Sequence, residues 1–153
     1  MIWEKEVSEF VESRMKGYTL NAPCGESMLG DVRADILSKP NVTHVCDFFQ
    51  IPYPDETFDT VISDPIWKIG YYFRPRWFFK AVDLCKVGGR IIYNATWMPI
   101  SQYTEMEEKP WVRQSATFSD VSVLTIFKKI GKSPPFDYSV KKTEDRQVKS
   151  EQK

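Results

Sequence analysis

The sequence predicts an α/β domain built on a mostly parallel sheet, and three observations carry that prediction. Five short segments rich in β-branched and apolar residues follow one another, each bounded by Gly, Pro, Asn or Asp. One of them, "TVISD" (Thr60–Asp64), is apolar enough to be buried on both faces, as central parallel strands are. A long helical pattern precedes the fifth segment, and two further strand patterns close the chain as a hairpin.

Each element has its own signal. "WEKEVSEFVESRMK" (3–16) places Trp3, Val7, Phe10, Val11 and Met15 on one helical face, with Gly17 as its stop. Tyr18 to Leu20 begin a short strand that Pro23 and Gly25 break. "DVRADIL" is a second strand, ended by "SKPN", and "VTHVCDFF" is a third. "PYPDETFD" is a loop rich in turn residues, and "TVISD" is the fourth strand. "PRWFFKAVDLCKVGG" reads as a helix, with Pro75 in its first turn and Gly88-Gly89 at its end. "RIIYNATW" is the fifth strand. Met98 to Pro110 is polar and acidic and reads as a loop or short helix. "WVRQSATF" and "VSVLTIFKKI" form a hairpin about Ser119-Asp120. Residues 1–130 thus make one domain, and 131–153 a weakly held, Pro- and Lys-containing tail.

Composition narrows the function classes. In 153 residues, hydrophobic types make up 42% and charged types 27%, a balance that supports a packed core. Formal net charge is zero, so any nucleic-acid contact rests on a local patch rather than on global attraction. Cys24, Cys46 and Cys85 are odd in number and widely spaced, which argues against a disulfide framework and a structural zinc site. His44 has no partner at ligand spacing and reads as structural or exposed. No apolar run approaches the ~18 residues of a membrane span, and no signal peptide is read before the first helix, so the expectation is a cytoplasmic protein without membrane association.

In open parallel sheets, ligands bind beyond the carboxyl ends of the strands. Those positions hold Asn21, Ala22, Pro23, Cys24 and Gly25 after strand one and Asp35 after strand two. Asp47 and Phe48 follow strand three, and Asp64-Pro65-Ile66-Trp67 follows strand four. Asn94, Thr96 and Trp97 follow strand five. Each alone reads as a cap or a loop; the fold sets them side by side on one edge.

From Thr19 to Pro99 the chain resembles the class I S-adenosylmethionine-dependent methyltransferases, in particular the amino-methyltransferases with a D-P-P-[YFW] motif. "TLNAPCGES" stands at the family's glycine loop and "VRADI" at its second-strand acid. "VCDFFQIPYPDETFDTVISDPIW" resembles the third-strand acid, its loop and the fourth-strand motif, and "CKVGGRIIY" resembles L-K-x-G-G leading into strand five. The resemblance implies a Rossmann-like methyltransferase fold, a seven-stranded sheet whose last strand is antiparallel, and S-adenosylmethionine as cofactor. It implies cofactor contacts from Asn21, Pro23, Cys24, Gly25, Asp35, Asp47, Phe48 and Asp64, with Asp35 on the ribose, Asp47 on the adenine amine and Phe48 over the adenine ring. Three departures stand out. Asn21 replaces an acid, Gly25 is the loop's one glycine, and Ile66 replaces the second proline. The segments between Gly25 and Asp35 and between Asp35 and Val42 are also too short for crossover helices, so both are expected to be loops.

The resemblance assigns catalysis to Asp64, Pro65 and Trp67. An exocyclic amine conjugated to a ring is a poor nucleophile. Two acceptors on its N–H groups, the Asp64 carboxylate and the Pro65 carbonyl, favour its pyramidal form, while Trp67 stacks on the base. Trp67, Lys68, Tyr71, Arg74 and Trp97 are the candidate substrate contacts, a basic and aromatic platform of the kind that holds single-stranded nucleic acid. The residues also admit plainer readings. Asp64 can cap a turn, Trp67 can fill a core, and "KIGYYFRPRW" can be a helix entry. Three functions follow: an N-methyltransferase on adenine or cytosine of nucleic acid, a catalytically silent binding or scaffold subunit, or an enzyme for a small molecule or protein amide. A partner protein or a homodimer supplying target recognition suits a domain this bare. Absence of G-x-G-x-x-G after strand one argues against a nicotinamide dehydrogenase.

Overall fold

The computed structural model describes residues 3–65, 70–114 and 121–134. Helix α1 (Lys5–Arg14) is followed by strands β1 (Thr19–Asn21), β2 (Val32–Asp35), β3 (His44–Val45) and β4 (Phe58–Ser63). Helix α2 (Phe73–Leu84) leads into β5 (Cys85–Ala95), and β6 (Thr104–Met106), β7 (Trp111–Gln114) and β8 (Val121–Lys129) complete the sheet. The order is β3-β2-β1-β4-β5-β8-β6, with β7 also paired to β8. Strands β1 to β5 are parallel, and β8 runs antiparallel to β5. The mixed, mostly parallel sheet with an antiparallel strand is the predicted fold class. Where the resemblance implies seven strands, the described residues form eight, because the short β6 and β7 both pair antiparallel with β8.

Strand alternation sorts the core into two layers. Val61, Ile91, Tyr93 and Phe127 pack with Trp77, Phe78, Ala81 and Val82 of α2. Their neighbours Ile62, Ile92, Leu124 and Ile126 face the other way and pack with Val7 and Val11 of α1, with Trp3 and Phe10 at the margin. One helix on each face therefore seals the centre of the sheet, where β4 and β5 lie.

The connections β1–β2 and β2–β3 hold no helix, as the spacing predicts. Polar side chains fasten them instead. The Arg33 guanidinium donates to the carbonyls of Gly30 and Asn41 at 2.8 and 2.6 Å. The Asn41 amide donates to the carbonyls of Gly25 and Ser27, both at 2.9 Å. Each bond satisfies a loop carbonyl that a helix would have satisfied internally.

Two elements differ from expectation. The helix predicted to run to Gly88-Gly89 ends at Leu84, and these glycines lie inside β5. Between Phe58↔Cys85 and Thr60↔Arg90 the ladder skips residues of β5, so the glycines serve a bulge. Gly88 has φ of +86°, and a Cβ on Gly89 would lie 2.6 Å from Cys85 Sγ and 2.7 Å from the Asp59 carbonyl oxygen. The acidic stretch after Met98, expected as loop or short helix, holds β6. Its three residues are strand only because β8 supplies their partners. The Ser119-Asp120 turn and residues 135–153 of the expected tail lie outside the described residues. Within the start of that tail, the Ser133 hydroxyl donates to Asp83 of α2.

Candidate active site

The site lies along the carboxyl edge of β1 to β5, where the parallel topology brings their last residues together. The first connection is held in a defined shape. Gly25, with φ of +55°, adopts the left-handed conformation that favours glycine, and the Ala22–Pro23 peptide is cis. The backbone N–H of Gly25 donates to Asp35 Oδ2 at 2.9 Å, and that of Leu37 donates to Oδ1 at 3.0 Å. Asp35 thus links the loop after β1 to the loop after β2. A carboxylate offers about four acceptor positions, so two amide donors leave room for hydroxyl donors of a ligand. Asn21 is 1% exposed, and its amide donates to the Leu29 carbonyl at 3.1 Å, so its side chain shapes the loop from within. Burial, and then the charge of Asp35, push the Cys24 thiol up.

After β3, Asp47 Oδ1 accepts from the Phe49 N–H at 2.8 Å and caps a single 3-10 turn over Phe48–Gln50. Phe48, expected over an adenine ring, follows in the first position of that turn. It is 6% exposed and stacks on Trp77 with centroids 4.3 Å apart, as part of the core. The Trp77 indole N–H reaches Ser63 Oγ at 2.9 Å and so pins α2 beneath the end of β4.

Asp64 follows β4 directly and is 8% exposed; Pro65 is also buried. The indole N–H of Trp3 donates to Asp64 Oδ2 at 2.8 Å, and the Asn94 amide donates to Oδ1 at 3.3 Å. Because an ionised carboxylate only accepts, the Asn94 amide nitrogen must face it, which turns Asn94 Oδ1 the other way. That oxygen is buried and has no protein partner. Arg74 Nε shares this condition, whereas the buried Tyr93 hydroxyl and Trp97 indole N–H lie close enough to interact with each other. Burial, with the Asp64 charge adding to it, pushes the Tyr93 phenol far up. Arg74 lies over the Trp97 ring at 4.6 Å, and the Tyr93 and Trp97 rings are 6.4 Å apart. Buried polar atoms without partners are rare in folded proteins, and Asn94 Oδ1 at the end of β5 and Arg74 Nε over the Trp97 ring are two of them.

The structure therefore brings Asp64, Pro65, Arg74 and Trp97 to one end of the sheet, beside the loops of Gly25, Asp35 and Asp47. Tyr71, just before α2, is 79% exposed. Ile66, Trp67 and Lys68 lie outside the described residues. Trp3 and the full role of Asn94 escape the sequence reading. Trp3 scores as one more apolar residue of the helical face, whereas Asn94 carries a legible signal as a polar residue in the otherwise apolar run "RIIYNA". Among the described residues no group of His, Cys, Asp or Glu is arranged to hold a metal ion, and no helix is long and apolar enough to cross a membrane.

No family model matches the sequence, and no curated protein matches it. Solved structures do match the fold. A Burkholderia thailandensis 1,6-didemethyltoxoflavin-N1-methyltransferase, solved with 1,6-didemethyltoxoflavin and S-adenosylhomocysteine, superposes with a TM-score of 0.62 at 8% identity, over 83% of this chain and 78% of that one. A T. thermophilus 16S rRNA N2 methyltransferase, solved with AdoMet and guanosine, superposes with a TM-score of 0.53 at 9% identity, over 88% of this chain and 42% of that longer one. Architecture and likeness agree: the chain has a Rossmann-like methyltransferase fold.

Proposed function

We propose that this chain is an S-adenosylmethionine-dependent N-methyltransferase acting on a planar amino group, with nucleic acid as the favoured substrate. The observation that carries the reading is the buried acid at the end of β4, held by Asn94, whose own buried amide oxygen has no protein partner. The residues present suit the cofactor. Asp35 has acceptor capacity left for ribose hydroxyls, and the half-buried Asp47 caps its turn through Oδ1, leaving Oδ2 for an amine donor. Both similar enzymes carry a ring-nitrogen or amino-nitrogen position, N1 and N2, in their names, which supports nitrogen as the acceptor atom.

When bound, the cofactor supplies an electrophilic methyl on a sulfonium. The protein's part is electrostatic and geometric. The Asp64 carboxylate accepts an N–H of the acceptor and stabilises the positive charge that grows on nitrogen as it is alkylated. Pro65 follows with a fixed φ and no N–H, which stiffens the turn that aims its carbonyl. Arg74 and Trp97 offer a cation and a flat ring for a base or another planar acceptor.

Asp64→Ala is expected to abolish methyl transfer while leaving affinity for S-adenosylhomocysteine within a few-fold, and Asp64→Asn to be severely impaired. Radiolabelled transfer to DNA, RNA, heteroaromatic amines and protein, beside calorimetry, checks both. Undiminished transfer by Asp64→Ala overturns the mechanism. One observation favours the silent-subunit reading: both oxygens of Asp64 already hold donors from this chain. A wild type that binds S-adenosylhomocysteine and methylates nothing in the panel would support it.

A further inference from the structure

We propose that Trp3 is a positioning residue: its indole N–H, with the Asn94 amide, fixes the Asp64 carboxylate, and the segment leading into α1 forms one wall of the acceptor site. The inference rests on the reading of Asp64 as the acid that receives the acceptor.

The contact is long-range, joining residues 61 positions apart in sequence. It is also specific. Trp3 packs at the margin of the α1 layer, alongside Val7, Val11 and Ile92, and its one polar atom lies 2.8 Å from the acid that ends β4. An indole offers a single donor and no acceptor, so the contact has one sense only. Asn94 completes the clamp from β5 on the other carboxylate oxygen at 3.3 Å. The carboxylate is then held at both oxygens, by the segment leading into α1 on one side and by the sheet on the other. Asn94 Oδ1, turned away from the carboxylate, is buried and without a hydrogen-bond partner.

Trp3→Phe keeps the ring in the α1 layer and deletes only the donor. Transfer of labelled methyl from S-adenosylmethionine to the panel acceptor that wild type uses fastest is the functional readout. The expected result is a kcat lowered about tenfold, with acceptor KM and S-adenosylhomocysteine Kd changed less than about twofold, the range for losing one hydrogen bond to a charged group. A purely structural role would instead lower stability and leave kcat of the folded fraction unchanged, and that result overturns the proposal, as does a raised kcat. A wild type that methylates nothing in the panel overturns the functional reading and this inference with it. Wild-type turnover matched by Trp3→Phe overturns this inference alone. Should Trp3→Phe fail to fold, the indole N–H resonance of Trp3 decides: it should shift and lose exchange protection in Asp64→Ala, and an unmoved resonance overturns the clamp.

Discussion

Asp35 shows how one side chain can serve fold and ligand together. Its carboxylate receives the N–H groups of Gly25 and Leu37, so it fixes two loops that have no helix to stiffen them. Asp35→Ala is therefore expected to do two things. It should lower stability by about 1–3 kcal/mol, the cost of leaving loop amides without their acceptor. It should also weaken S-adenosylhomocysteine binding at least tenfold, through lost ribose contacts and a loosened Gly25 turn. Urea unfolding and calorimetry on the same preparation separate the effects. A destabilised variant with unchanged affinity would assign Asp35 to the loop alone and move the ribose site elsewhere.

Among the elements, β5 is the most instructive, because its glycines mislead. Gly after a helical pattern is an ordinary stop signal, and here the stop comes earlier, at Leu84. The same pair serves the bulge where β5 joins β4, and each glycine does so for its own reason. Gly88 has φ of +86° and open space around it, so Gly88→Ala should cost about 1–2 kcal/mol of backbone strain. Gly89 lies against the Asp59 and Lys86 carbonyl oxygens at 2.7 and 2.8 Å from a would-be Cβ, and backbone cannot step aside. Gly89→Ala should therefore cost more, about 3 kcal/mol, and give the lower of the two urea midpoints. Equal midpoints would contradict this account of the bulge. The comparison also shows what the sequence can reveal. Elements with their own periodicity, α1, β4 and β5, are readable, and the strand-end acids Asp35, Asp47 and Asp64 follow from them. β6 is three residues, Thr104 to Met106, made into strand by β8, and Trp3 meets Asp64 across 61 positions; no local pattern encodes either.

At the scale of the molecule, the sheet encloses titratable groups that must stay neutral. Cys85 starts β5 at 0% exposure, and burial pushes its thiol up from about 9 to about 12. Tyr93, further along the same strand, is shifted in the same direction by burial. The native state therefore keeps the Cys85 proton at pH values where the unfolded chain loses it. Between about pH 9 and 12 the unfolded state binds fewer protons, so stability falls as pH rises through that window, and it is unaffected by this group below it. The slope from one such group is at most about 1.4 kcal/mol per pH unit. Cys85→Ser keeps a small donor and removes the titration. Urea unfolding of wild type and Cys85→Ser at steps from pH 8 to 11 should show parallel stability at the lower end and a steeper decline for wild type above pH 9. The difference between the two proteins reports on the Cys85 thiol together with the charges that act on it, Lys129, Asp59 and Lys86. Identical declines would mean that the thiol reaches water through an opening of the β4–β5 bulge short of global unfolding.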